Sequence, residues 1–136
     1  MLRILETLTD PGSEKANEDA FGHTSANAWV IDGATDVADG PLIGNETGAH
    51  WLANEASTLF EANAARYGSD LQGLVRFTME PLSLRFAQQK LREPNGRHEW
   101  PSAAMAEGVK GGVKGRAKEW RRRRRRRRRT EGRVWE

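Results

Sequence analysis

The chain has 136 residues and no cysteine, which is enough for one ordinary domain, too short for two, and incompatible with disulfides, thiolate metal sites or a cysteine nucleophile. The formal net charge of +3 conceals a split: residues 1–107 hold 8 basic and 16 acidic residues (net −8), and residues 108–136 hold 14 basic and 3 acidic (net +11). Glu6 interrupts the N-terminus before an apolar segment forms, and no stretch approaches the ~20 apolar residues of a membrane span, so a secretory leader and a membrane partner are not expected and a cytoplasmic protein is.

Taken in chain order, residues 2–9 read as a first strand, with Ile4 and Leu5 apolar and Thr7 and Thr9 β-branched. Asp10-Pro11-Gly12-Ser13 is a turn, because proline fixes φ and glycine accepts φ > 0. Residues 14–25 are polar and loop-like apart from Ala20-Phe21-Gly22. Ala28-Trp29-Val30-Ile31 is a continuous apolar run of the kind that forms a buried strand, and it stops at Asp32-Gly33. A loop containing Gly40-Pro41 follows.

Two helices come next. The first spans about residues 46–66, with Asn45 as N-cap, Gly68 just past the end, and Leu52, Ala56, Leu59, Phe60 and Ala64 on one face. The second begins at Ser69 or Asp70, where Ser69 and Gln72 have capping-box spacing, and carries the stripe Leu71, Leu74, Val75, Thr78, Leu82 and Phe86. Pro81 is expected to kink or divide it, since proline removes a helical hydrogen bond. Pro94-Asn95-Gly96 is a turn, and residues 100–106 supply a further strand.

Beyond Glu107 no period of 2 or 3.6 persists. Gly108-Val109-Lys110-Gly111 repeats at once as Gly112-Val113-Lys114-Gly115. A run of nine basic residues follows, Arg121, Arg122, Arg123, Arg124, Arg125, Arg126, Arg127, Arg128 and Arg129. Like charges this dense repel, and little apolar area offsets the ordering entropy, so residues 108–136 are expected to be a disordered, low-complexity tail. The tail admits two explanations. Its arginines suit a polyanion such as RNA, bound without specificity and with strong salt dependence, and Trp120 and Trp135 flank the run. The tandem repeat and the homopolymer also fit a repetitive coding stretch translated out of frame.

Two short motifs carry chemistry. Asn17-Glu18-Asp19 lies in a polar loop, and Asp32-Gly33 lies at the end of a buried strand. Carboxylates delivered by separate segments to one sheet edge suit hard, oxygen-seeking Mg²⁺ or Mn²⁺. A glycine beside them lets a backbone carbonyl approach a cation. Alone, Asp-Gly is foremost a turn signal and Asn-Glu-Asp reads first as a solvated acidic loop. His23, His50 and His98 lack ligand spacing, and Gly40, Gly44 and Gly48 are not followed by Gly-Lys-Ser/Thr, so neither set makes a metal site or a phosphate loop.

The succession Pro11-Gly12, then Asn17-Glu18-Asp19-Ala20-Phe21-Gly22, then Ala28-Trp29-Val30-Ile31-Asp32-Gly33-Ala34-Thr35 resembles the opening of the metal-dependent serine/threonine protein phosphatases of the protein phosphatase 2C family. The resemblance spans about residues 5–106, because Pro101-Ser102-Ala103-Ala104-Met105-Ala106 is similar to the strand after the family's two helices. It implies an α+β fold, here an incomplete α-β-β-α sandwich over residues 1–107 with a disordered basic tail. It also implies hydrolysis of phosphoserine and phosphothreonine in a phosphoprotein by a metal-activated water. Asp32 and Asp19 would be catalytic. Glu18, Asp32 and the Gly33 carbonyl would bind metal, with Asp19 holding metal-bound water.

The chain departs from the family in two places. The family's phosphate-binding arginine corresponds in position to Glu14, leaving the adjacent Lys15 as the candidate phosphate contact, without the arginine fork. The family's later aspartate ligands have no counterpart, because the last aspartate is Asp70. The resemblance therefore implies at most one partial cation site, little or no catalysis, and an apolar sheet face without its second layer. A pseudoenzyme that binds a phosphoprotein, or a polyanion-binding protein acting through residues 121–129, are the competing readings.

Overall fold

Asn27–Ala34 forms the central strand of the molecule, and its side chains alternate between two environments. Asn27, Trp29 and Ile31 are buried, whereas Val30 and Asp32 face outward, and Val30 is 54% exposed. We label this strand β2 of a computed structural model that describes residues 3–12, 16–34, 40–109 and 112–115. It is flanked by β1 (Asp19–His23) and β3 (Ser102–Val109), and β4 (Gly112–Gly115) pairs with the far side of β3. All pairings are antiparallel, in the order β1-β2-β3-β4.

Two helices cover one face. In α1 (Gly48–Tyr67) the Thr47 hydroxyl caps the N-terminus by accepting the His50 amide at 3.1 Å, and Gly68 ends the helix at φ +53°, a conformation costly for other residues. Trp51, Leu52, Ala56, Leu59, Phe60 and Ala64 are buried. α2 (Leu71–Gln89) starts from Asp70, whose carboxylate accepts the Gly73 amide at 2.9 Å, and buries Leu74, Thr78, Leu82 and Phe86 at four-residue spacing. α1 packs on the sheet and on α2. Aromatic contacts run through a mostly aliphatic core: the Trp29 and Phe60 rings meet edge to face at 5.8 Å, and Trp51, Phe86 and Trp100 form a chain of tilted rings 5.5 and 5.3 Å apart. Each buried indole N–H is matched, Trp29 to the Ser57 hydroxyl at 3.0 Å and Trp51 to Gln89 Oε1 at 2.9 Å. Gly22 stands opposite Trp29, where a Cβ would run into the indole ring.

A short 3₁₀ turn, Arg97–Glu99, precedes β3 and holds Glu99, which is fully buried. Arg92 meets the Glu99 carboxylate with both terminal nitrogens, at 2.6 and 2.8 Å, and the Asn95 amide adds a third bond at 2.6 Å. This charged staple fixes the connection from α2 to β3.

The α+β class and both helices agree with the sequence reading, and several local expectations do not. Residues 3–10 form no strand, and Leu5 and Leu8 are 84% and 89% exposed; strand preference is realised only through pairing, which these residues lack among the described residues. The first strand is instead Asp19–His23, recruited from a segment read as loop by its register with β2. β2 does not stop at Asp32-Gly33 but continues to Ala34. The first helix is capped by Thr47 rather than Asn45, and the second by Asp70 rather than a Ser69 capping box. α2 runs through Pro81, because the bond lost there is one to the Phe77 carbonyl and the buried stripe holds both halves on α1.

The sheet also continues past Glu107, the boundary expected for the tail. The tandem repeat folds on itself, with Gly108 opposite Val113 and Val109 opposite Gly112. Residues 116–136, including Arg121 to Arg129, lie outside the described residues, as does Lys15. No second sheet occurs among the described residues, and the outer face is uncovered, with Phe21 42% exposed beside Val30. Among the same residues no helix is long and apolar enough to cross a membrane.

Candidate functional site

The site sits where β1 begins, β2 ends and α1 starts. Asn17 builds the entry to β1: its Oδ1 accepts the Asp19 amide at 3.0 Å, and its side-chain amide donates to the Thr9 hydroxyl. This turn delivers Asp19 into the sheet directly opposite Asp32. Facing residues of neighbouring strands share one side of the sheet, so both carboxylates stand on its outer, solvent-exposed face.

Like charges so placed repel. Partial loss of hydration, the charge of Asp32, a carboxyl–carboxyl hydrogen bond to it and the charge of Glu18 all raise the Asp19 pKa above the ordinary aspartate value, against an opposing hydrogen bond from the Gly33 amide. That amide bond carries a second implication. On a strand, the N–H and C=O of one residue point the same way. The Gly33 carbonyl therefore lies on the β1 side of the strand.

Gly33 is also packed so closely that any side chain there is costly. A Cβ there would run into the Glu18 carbonyl on one side and lie 3.0 Å from the Ala49 carbonyl on the other. Its role is close backbone approach among β1, β2 and α1.

Glu18 is held differently. Its Oε1 accepts the Thr47 hydroxyl at 2.6 Å, and the same hydroxyl caps α1. Next to it, His50 Nδ1 donates to the Asn17 carbonyl at 2.6 Å, and His50 Nε2 lies 3.4 Å from Glu46. The α1 N-terminus thus clamps residues 17 and 18.

Of the residues singled out from sequence, Asp19, Asp32, Gly33 and Glu18 come together at this corner. Lys15 and Glu14 lie outside the described residues, as do Asp36 and Asp39 of the following loop. Thr47 and Asn17 were missed as positioning groups; the only trace of Thr47 in the sequence is a threonine three residues ahead of His50, a cap signal that Asn45 obscured.

The donor set has been set against the cation that the family resemblance implies. Two facing carboxylates, Asp19 and Asp32, are oxygen donors of the kind that Mg²⁺ or Mn²⁺ takes. Their chemistry suits one such ion at most, and among the described residues no three His, Cys, Asp or Glu side chains are gathered as a metal site, so Glu18 does not join the pair as a third ligand here.

Comparison with family models, with curated proteins and with solved structures finds no match.

Proposed function

We propose that residues 5–106 form the metal-binding opening of a phosphatase-like domain of the protein phosphatase 2C type, with one weak divalent-cation site and little phosphoester hydrolysis of its own. The observation that carries this reading is the placement of Asp19 opposite Asp32, with the Gly33 amide bonded to Asp19. A cation bound there supplies Lewis acidity toward a phosphate oxygen and makes a neighbouring water more acidic.

The chain's own residues divide the remaining work. Asp32 and the Gly33 carbonyl would hold the cation, and Glu18 would reach it from the clamp made by Thr47. Asp19 would accept a hydrogen bond from water at the site, its carboxylate kept in place by the Gly33 amide. The α-β-β-α sandwich belongs to the same proposal: the uncovered outer face, with Phe21 and Val30 exposed, is where a second sheet would lie. The phosphate of a phosphoprotein would have only Lys15 as a nearby cationic contact in the sequence, which is a further reason to expect slow turnover. A cytoplasmic setting is part of this reading.

Titration of Mn²⁺ by the loss of its free-ion paramagnetic resonance signal, paired with p-nitrophenyl phosphate hydrolysis, tests it. The expected result is one ion bound with a dissociation constant of about 10⁻⁴ to 10⁻³ M, the range of weak natural sites, abolished in Asp32→Asn, with hydrolysis near background. Undiminished Mn²⁺ binding in Asp32→Asn contradicts the proposal.

A second reading rests on the nine arginines at residues 121–129. They would bind RNA with an affinity falling roughly 10³-fold between 50 and 200 mM salt if about six phosphates are neutralised. An RNA mobility shift that survives deletion of residues 116–136 rejects it.

A further inference from the structure

Where α2 meets the segment entering β3, the two touch through the rings of Phe86 and Trp100 and leave a gap beside them. Ser83 and Ala87, one turn apart on α2, offer only small side chains, and the gap they leave is a cleft of about 150 Å³ between α2 and Trp100-Pro101. Trp51 and Phe86 line it from the core. The rings of Trp51, Phe86 and Trp100 form a tilted series at 5.5 and 5.3 Å, and the cleft lies along that series. A cavity of this size holds a single benzene-sized ring, and a ring stacked there extends the aromatic chain.

One charged residue lines the cleft. Lys90 caps the C-terminus of α2, its amide bonded to the Phe86 carbonyl at 2.9 Å, and Leu91 beside it is tied to the Leu42 carbonyl at 2.9 Å, so the stem of its side chain starts from a fixed point. The ammonium is paired with Glu93; the lysine side chain is mostly covered, 20% exposed, whereas the glutamate's is 75% exposed. The glutamate end stands in solvent, so another anion can take its place on the lysine at small cost.

We infer that this cleft is a binding site for a small aromatic monocarboxylate, a single planar ring whose carboxylate takes the place of Glu93 on Lys90. Aromatic walls select the ring, the volume limits it to one, and the lysine selects the charge. The inference is independent of the proposed phosphatase kinship.

Benzoate titrated into the full chain, followed by tryptophan fluorescence and by saturation transfer to its ring protons, tests the site. Acetate serves as a probe of charge alone, which the arginine run also attracts, and benzyl alcohol as a ring without charge. Benzoate should bind saturably and roughly tenfold more tightly than benzyl alcohol, a difference of about 1.4 kcal/mol. Acetate should not displace it. Lys90→Met should bring the two aromatic probes to equal affinity, and Ala87→Leu, which fills the cleft from an exposed helical position, should abolish both signals. Where Ala87→Leu lowers the helical circular dichroism, Ser83→Leu fills the same space and is judged in its place. Benzoate binding unchanged in the filled variant, displacement by acetate, or tighter binding of N-acetylphenylalanine amide than of benzoate overturns the inference; the last would assign the cleft to a protein side chain.

Discussion

Replacing Gly33 by alanine adds a single methyl group, and its cost can be worked out from its neighbours. In an ordinary exposed strand the change would be mildly favourable, because alanine reduces the freedom of the unfolded chain and gains up to about 1 kcal/mol. Here the Cβ would meet the Glu18 carbonyl, the Ala49 carbonyl oxygen at 3.0 Å and the Ala49 carbonyl carbon at 3.1 Å. All three are backbone atoms, one on the entry to β1 and two in the first turn of α1, so no side chain can swing aside. Relief requires β1 or α1 to move, and insertion into a packed site typically costs about 1–3 kcal/mol. The cost exceeds the gain, and Gly33→Ala should be destabilised by about 1–2 kcal/mol. Urea unfolding followed by tryptophan fluorescence reads this as a lower midpoint at unchanged slope. Stability equal to or above that of the unmodified chain would refute the packing of the corner as described.

Three further outcomes follow from the same structure. Glu99→Gln removes the charge from the buried end of its pair with Arg92, whose side chain is 28% exposed and keeps part of its hydration; a loss of about 1.5–2 kcal/mol is expected in the same urea assay, and a loss below about 0.5 kcal/mol would show the pair to be dispensable. Thr47→Ala removes the cap of α1 and the partner of Glu18 together, and should cost about 1 kcal/mol, seen as a lower thermal midpoint by circular dichroism. Asp19 binds its proton more tightly folded than unfolded, so its contribution to stability is greatest at low pH and is lost as pH rises through the raised value. Asp32→Asn should flatten that dependence and stabilise the chain at neutral pH by about 0.5 kcal/mol, measured as unfolding midpoints from pH 4 to 7.

The helices were legible because their signals are local. Gly68, the apolar stripes from Leu52 to Ala64 and from Leu74 to Phe86, and a polar residue before each start need no knowledge of distant neighbours. The run Ala28-Trp29-Val30-Ile31 was equally plain as a strand. What could not be read was pairing. Residues 2–9 have strand composition and no partner, whereas Asp19–His23 has weak composition and becomes a strand through its register with β2. The same register puts Asp19 and Asp32 face to face, a relation invisible in two motifs thirteen positions apart. Glu18 and Gly33 were named from sequence, but the Thr47 hydroxyl that holds Glu18 was hidden by Asn45, a better cap by type that lies two residues too early. The Gly-Val-Lys-Gly repeat looked patternless because its order is a strand pairing, not a period.

The carboxyl pKa of Asp19 tests the acidic corner most directly. Carbon-13 labelled aspartate, followed by NMR across a pH titration with and without Mg²⁺, reports it residue by residue. Without the ion, Asp19 should titrate above the ordinary aspartate value, and saturating Mg²⁺ should bring it down as the cation offsets the charge of Asp32. An Asp19 that titrates at its ordinary value and does not respond to Mg²⁺ would contradict the account.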